Sequence, residues 1–173
     1  AVIGGSLGSL TINQSMQGSL TFFKEADVQV IWQTGDRFYN KIFENVRELS
    51  DAGIKAMPFV KRMDYLYSIA DLVISRAGAL SISELCGLHK PCILIPSPNV
   101  SEDHQTKNAK VLVNADAAVM ISDKEAPAVL GRVALDLIKD KARLEMLSNN
   151  ISRFATPDAD ELIVDEIVKL IRF

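Results

Sequence analysis

LVISRAGALSISELCGLHKPCILIP, residues 72–96, reads as strand, tight turn, short helix, loop and strand. Leu72-Val73-Ile74 is a short apolar run suited to a strand buried on both faces. Arg76-Ala77-Gly78-Ala79-Leu80 makes the turn, with Gly78 free to take unusual backbone angles. Ser81 is a helix cap for the run Ile82-Ser83-Glu84-Leu85-Cys86, and Gly87 ends it. Cys92-Ile93-Leu94-Ile95 starts the next strand and Pro96 stops it. A helix that begins at the carboxyl end of a parallel strand presents free N–H groups and the positive end of its dipole, which suits a phosphate. Glu84, one turn in, is placed to reach the hydroxyls of a ribose on that phosphate. Ser81 and Glu84 also spell a capping box, in which Glu84 merely satisfies the Ser81 N–H. Spacing alone leaves both readings open.

Outward from this stretch, strands and helices alternate. Strands are expected over residues 1–3, 28–32, 54–57, 72–74, 92–95 and 117–121. Helices are expected over 10–25, 37–52, 63–69, 104–115, 126–139, 141–153 and 158–172. That order defines an α/β fold: a doubly wound, mostly parallel six-stranded sheet of Rossmann-like type with helices on both faces. No repeat, low-complexity segment or flexible linker interrupts it, so 1–173 is expected to be a single domain. The opening Ala1-Val2-Ile3-Gly4-Gly5 resembles the middle of a strand, as in a fragment whose upstream part is missing. In such sheets ligands sit at the carboxyl ends of the strands near the switch in strand order. Three loops meet that condition: 4–9, 76–81 and 97–105.

Composition narrows the function classes. With 48% hydrophobic and 24% charged residues, the chain has the balance of an ordinary soluble globular protein. A formal net charge of −3 gives no broad electrostatic case for nucleic acid or an anionic membrane. No apolar run approaches the roughly 20 residues that span a bilayer, and the opening Ala1-Val2-Ile3-Gly4-Gly5 raises no expectation of a signal peptide. Two cysteines, Cys86 and Cys92, make no disulfide framework and are expected as buried thiols in a reducing compartment. Two histidines leave no cluster with metal-ligand spacing.

Several pieces outside the central stretch carry possible chemistry. Gly4-Gly5-Ser6-Leu7-Gly8-Ser9 is a Gly-rich turn between strand and helix, where a backbone can approach an anion and the Ser6 hydroxyl can donate to it. It is neither a Walker A loop nor a G-x-G-x-x-G, and a tight turn for helix–strand packing explains it equally well. Gln105, after His104 at a helix start, can donate and accept at once, as sugar hydroxyls require. Glu102, Asp103 and His104 fit simple complementation of the helix dipole better than acid–base work. Phe59-Val60 offers a ring-sized surface and a backbone edge for a base. Arg76 either steers a phosphate or packs by a salt bridge. Ile163, Val164, Ile167, Val168 and Ile171 form an apolar stripe on the last helix that calls for a cover from this domain, a partner domain or a neighbouring molecule.

The order of these motifs resembles the MurG family of bacterial N-acetylglucosaminyltransferases. The residues that carry the resemblance are 4–9 with Asn13, Phe59-Val60, the run 70–84, Pro91, and Asp103-His104-Gln105-Thr106 followed by Asn108-Ala109. It covers nearly the whole chain, but only the carboxyl-terminal half of that family's two-domain GT-B architecture. The resemblance implies that Ser6 contacts a diphosphate and that the Val60 backbone meets uracil. It implies that Ala79, Leu80 and Ser81, with Ile82 and Ser83 behind them, present the helix start to the phosphates. Glu84 would bind the ribose hydroxyls, and Gln105 with His104 would hold N-acetylglucosamine.

The implied reaction is inverting transfer of N-acetylglucosamine from UDP-N-acetylglucosamine (UDP-GlcNAc) to lipid I, giving lipid II for peptidoglycan. It needs no metal and no cofactor. The acceptor site, general base and membrane-facing patch belong to the missing amino-terminal domain, so no catalytic residue is expected here. The resemblance places the enzyme peripherally on the cytoplasmic face of the bacterial inner membrane, with this part soluble and unable to transfer sugar by itself. Rival readings are a diacylglycerol glycosyltransferase, a UDP-N-acetylglucosamine 2-epimerase-like isomerase domain, and a non-catalytic UDP-sugar-binding subunit. The epimerase reading asks for more histidines and acids around the cleft than the chain carries.

Overall fold

The computed structural model describes residues 1–5, 7–100 and 103–171. In chain order the elements are β1 (Val2–Ile3), α1 (Leu10–Glu25), β2 (Val30–Gln33), α2 (Asp36–Val46), β3 (Ile54–Met57) and α3 (Met63–Ile69). There follow β4 (Val73–Ser75), α4 (Ala79–Gly87), β5 (Cys92–Leu94), α5 (His104–Asn114), β6 (Val119–Met120), α6 (Ala126–Lys139), α7 (Lys141–Ile151) and α8 (Ala159–Ile171). A 3-10 turn, Arg47–Leu49, follows α2, and this helix is shorter than its amphipathic pattern suggests.

The sheet has six strands in the order β3-β2-β1-β4-β5-β6. Every pair is parallel, with Val2 beside both Trp32 and Ile74, and Ile93 beside both Ile74 and Val119. The chain winds outward to β3, then crosses back through α3 to place β4 against β1. The switch in strand order therefore falls between β1 and β4, where the loops that follow them diverge and open a crevice.

Alternating side chains feed two cores, one on each face of the sheet. Ile74, Ile93 and Ile95 join Trp32, Ile12, Met16, Ile42 and Leu130 on the face covered by α1, α2 and α6. Val73, Cys92 and Leu94 join Tyr67, Leu85, Cys86, Ala109 and Leu112 on the face covered by α3, α4 and α5. Both cysteines are free and buried, as their position in these apolar runs suggests. No residue of α8 is buried, and Ile163, Val164, Ile167 and Val168 stay exposed along it. No helix among the described residues is long and apolar enough to cross a membrane.

Candidate nucleotide-sugar site

The start of α4 differs in detail from the sequence expectation. The cap is Gly78, in an extended conformation (φ −68°, ψ 149°), and the helix begins at Ala79. Ser81 is thus the third helical residue rather than the cap, and of the two readings left open by spacing the capping box does not form. Extended backbone at Gly78 starts the helix without a capping side chain. The Ile82 N–H already bonds the Gly78 carbonyl at 3.0 Å. The N–H groups of Ala79, Leu80 and Ser81 precede the first intrahelical bond, as in any helix. They lie at the carboxyl edge of the sheet beside the β1–β4 switch, and the exposed Leu80 side chain stands at the same mouth.

Released from capping, the Glu84 carboxylate accepts a hydrogen bond from the Tyr67 hydroxyl at 2.8 Å. Tyr67 lies on α3, the helix that follows the Phe59-Val60 segment in the chain, so this bond ties α4 to α3. Phe59 is exposed at the rim, while Val60 is buried. The Val60 N–H donates to Gln33 Oε1 at 3.1 Å, and Gln33 itself is buried at the end of β2. That bond occupies the Val60 N–H.

Loops on the other side of the crevice are tied together from beneath. Gln105 Oε1 accepts from the Ser97 N–H at 2.9 Å and the Ala77 N–H at 3.3 Å, and Asn108 Nδ2 donates to the Ala77 carbonyl at 3.3 Å. One end of the Gln105 amide is therefore spent on the backbone, leaving Nε2 as its donor. Arg76, read from sequence as either a phosphate ligand or an ion-pair partner, is the latter. Its guanidinium pairs with Asp123 and also donates to the carbonyls of Ile95 and Pro96 at 3.1 and 3.2 Å. Thr11 Oγ1 donates to the second Asp123 oxygen at 2.9 Å, which brings the start of α1 into the same clasp. His104 stands exposed at the start of α5, after Asp103 in a left-handed conformation (φ 54°).

The Gly-rich loop after β1 closes against the loop after β2. Gly8 has φ +76°, and a Cβ there would lie 2.2 Å from the Thr34 carbonyl oxygen; Gly35 has φ +80° and meets Gly8 as closely. Glycine is required at both by this approach. Ser6, the diphosphate contact expected in this loop, lies outside the described residues, as does Glu102. Asn13, beside the loop in sequence, serves the core. Its Oδ1 accepts from Trp32 Nε1 at 3.0 Å and its Nδ2 donates to the Thr34 carbonyl at 2.9 Å.

A cavity of about 320 Å³ bordered by Pro96, Pro98, Asp103, Thr106, Ser122 and Asp123 adjoins the crevice. A second, of about 760 Å³, opens at the amino ends of the strands and holds none of the expected site residues. It exists because β2 pairs with the short β1 only at Trp32 and Gln33, leaving its Val30-Ile31 edge uncovered.

Gln33, Tyr67 and Asp123 escaped the sequence reading. An arginine directly after a buried strand signals an anionic partner, but the chain offers 22 acidic residues and no spacing singles out Asp123. A tyrosine at helical spacing among apolar residues, as Tyr67 is, reads as core.

Fold and crevice together define a doubly wound, Rossmann-like α/β domain. Residues 1–163 match the glycosyltransferase family 28 C-terminal domain, and the chain belongs to that family. It is 55% identical over 170 residues to the UDP-N-acetylglucosamine--N-acetylmuramyl-(pentapeptide) pyrophosphoryl-undecaprenol N-acetylglucosamine transferase of Parabacteroides distasonis, covering 98% of this chain and 46% of the relative. The protein of the same name from Porphyromonas gingivalis strain W83 is 50% identical over 170 residues, covering 98% of this chain and 45% of the relative. The crystal structure of Acinetobacter baumannii MurG superposes with a TM-score of 0.84 at 30% identity, over 97% of this chain and 48% of that one. The fold is thus that of the carboxyl-terminal domain of a GT-B glycosyltransferase. A UDP-N-acetylglucosamine 2-epimerase (TM-score 0.60, 14% identity, 91% of this chain and 40% of that one) shares the fold alone. The chain spans about half the length of the relatives it matches.

Proposed function

We propose that this chain is the donor-binding domain of an inverting glycosyltransferase that moves N-acetylglucosamine from UDP-GlcNAc to lipid I, making lipid II. The observation that carries the proposal is the position of Glu84. Its carboxylate sits one turn beyond the amides of Ala79–Ser81 and is bonded to Tyr67 on α3, the helix that follows the Phe59-Val60 segment. A uridine diphosphate needs those three features in that order: an anion site, a diol acceptor and a surface for the base. Substrate names carried by the relatives fit the same donor.

In this reading uracil lies against Phe59 and donates its N3–H to the Val60 carbonyl. The ribose hydroxyls donate to Glu84. The diphosphate lies over the amides at the start of α4, with Ser6 opposite. His104 and the Nε2 donor of Gln105 face the sugar, while Ile82 and Ser83 support the helix start from within. The acceptor 4-hydroxyl attacks C1 from the face opposite the diphosphate, the C1–oxygen bond to UDP breaks, and the anomeric centre inverts. Negative charge grows on the leaving diphosphate, where fixed amide dipoles stabilise it without reorganising. The general base, the lipid acceptor site and contact with the cytoplasmic membrane surface fall to the preceding domain, and nucleic acid has no part.

Amide-resolved titration tests the placement. UDP-GlcNAc is expected to shift the resonances of Ala79, Leu80, Ser81 and Val60, and to bind more tightly than UDP-glucose. Shifts confined to the amino ends of the strands, or equal affinity for the two donors, would count against it.

A further inference from the structure

We propose that Tyr67 is a positioning residue for ribose recognition: its hydroxyl holds the Glu84 carboxylate in the orientation that receives the sugar diol. The inference rests on the donor-site reading above and adds a residue to it. Glutamate is a long side chain that loses rotamer freedom when a ligand fixes it. Glu84 is exposed on α4, so the fold around it does little to hold it. Tyr67 supplies the missing constraint. Its ring is 4% exposed and belongs to the core between β4, β5 and α4, with Val73, Leu85 and Cys92. The phenol oxygen is thus fixed by packing, and it donates to Glu84 Oε2 at 2.8 Å.

An ionised carboxylate has about four acceptor positions. The tyrosine uses one, which leaves all of Oε1 and part of Oε2 for two ribose hydroxyls. Burial, reinforced by the neighbouring carboxylate, pushes the phenol well above its ordinary pKa. Tyr67 therefore stays a donor to the carboxylate over the working pH range. The same bond joins α3, which begins just beyond the base-facing Phe59-Val60 segment, to α4, whose amides face the diphosphate. Base and phosphate subsites are thereby set at a fixed separation.

The test is calorimetric titration of the chain and of Tyr67→Phe with UDP and with 2′-deoxy-UDP. The wild-type chain is expected to prefer UDP. Tyr67→Phe keeps the ring and is expected to weaken UDP binding about five- to thirty-fold and 2′-deoxy-UDP, which offers Glu84 only its 3′-hydroxyl, by clearly less, so the preference shrinks. A variant that retains the full preference, or that loses both ligands equally, overturns the inference and leaves the donor site standing. A wild-type chain that binds UDP no better than 2′-deoxy-UDP overturns the ribose role of Glu84 and the inference with it. A second readout needs no substitution. With 3-fluorotyrosine incorporated, the fluorine resonance of residue 67 is expected to move on adding UDP and far less on adding 2′-deoxy-UDP. Equal movement contradicts the proposal.

Discussion

Replacing Asp123 by alanine removes one carboxylate that holds three loops. Arg76 loses its counter-ion but keeps the carbonyls of Ile95 and Pro96, and Thr11 loses its acceptor. The side chains of Arg76 and Asp123 are 20% and 21% exposed, so the pair is neither a surface bridge nor a fully buried one. Exposed pairs contribute about 0.2–1 kcal/mol. Removing one partner of a buried pair costs about 3–5 kcal/mol. With four-fifths of each side chain covered and two carbonyls still solvating the guanidinium, the loss should be about 2 kcal/mol. For a chain of this size that lowers Tm by about 4–8 °C. Asp123→Asn keeps acceptors for Arg76 and Thr11 and should lose about half as much. Thermal unfolding followed by circular dichroism reads both variants. UDP binding by Asp123→Ala, measured below its transition, should also weaken, because Arg76 anchors the turn that leads into α4. A melting temperature within 1 °C of wild type would refute the reasoning.

Asn13→Ala leaves the Trp32 indole N–H and the Thr34 carbonyl unpaired in the core, at about 1–3 kcal/mol each. Urea unfolding should therefore show a loss of about 3 kcal/mol with an unchanged slope, and a loss below 1 kcal/mol would contradict the network. Cys92 gives a pH test. Burial first, then neighbouring Cys86, pushes its thiol from 9.0 up to about 12. The native chain keeps a proton that the unfolded chain releases, so this contribution is complete below about pH 9 and fades as pH rises toward 12. The fall is about 1.4 kcal/mol per pH unit in that window. Cys92→Ala should lack this share of the alkaline slope, and identical slopes in the two chains would contradict it.

The strands at the centre were legible because short apolar runs such as Leu72-Val73-Ile74 and Cys92–Leu94 stand out, and parallel strands buried on both faces leave that signature. Strand order followed from the alternation of strands with helices. The start of α4 was displaced because Ser81 and Glu84 imitate a capping box, whereas extended backbone at Gly78 begins the helix three residues earlier. Arg76 was legible as a residue in need of an anion, but its partner lies 47 positions away. Tyr67 and Glu84 meet because α3 and α4 share one face of the sheet, and Gln33 meets Val60 across the end of β2. Local spacing carries no trace of such meetings, since they depend on how helices seat on the sheet. The Gly-rich loop was legible as a close approach. The structure shows that Gly8 and Gly35 make that approach to each other's loops.

One measurement bears most directly on the donor site: calorimetric titration of UDP-GlcNAc into the chain and into Glu84→Ala. Saturable one-to-one binding is expected in the first, weakened about tenfold or more in the second, since a charged acceptor of the ribose hydroxyls is lost. Absence of saturable binding, or equal affinity with and without the Glu84 carboxylate, would contradict the assignment of this crevice to a uridine diphosphate sugar.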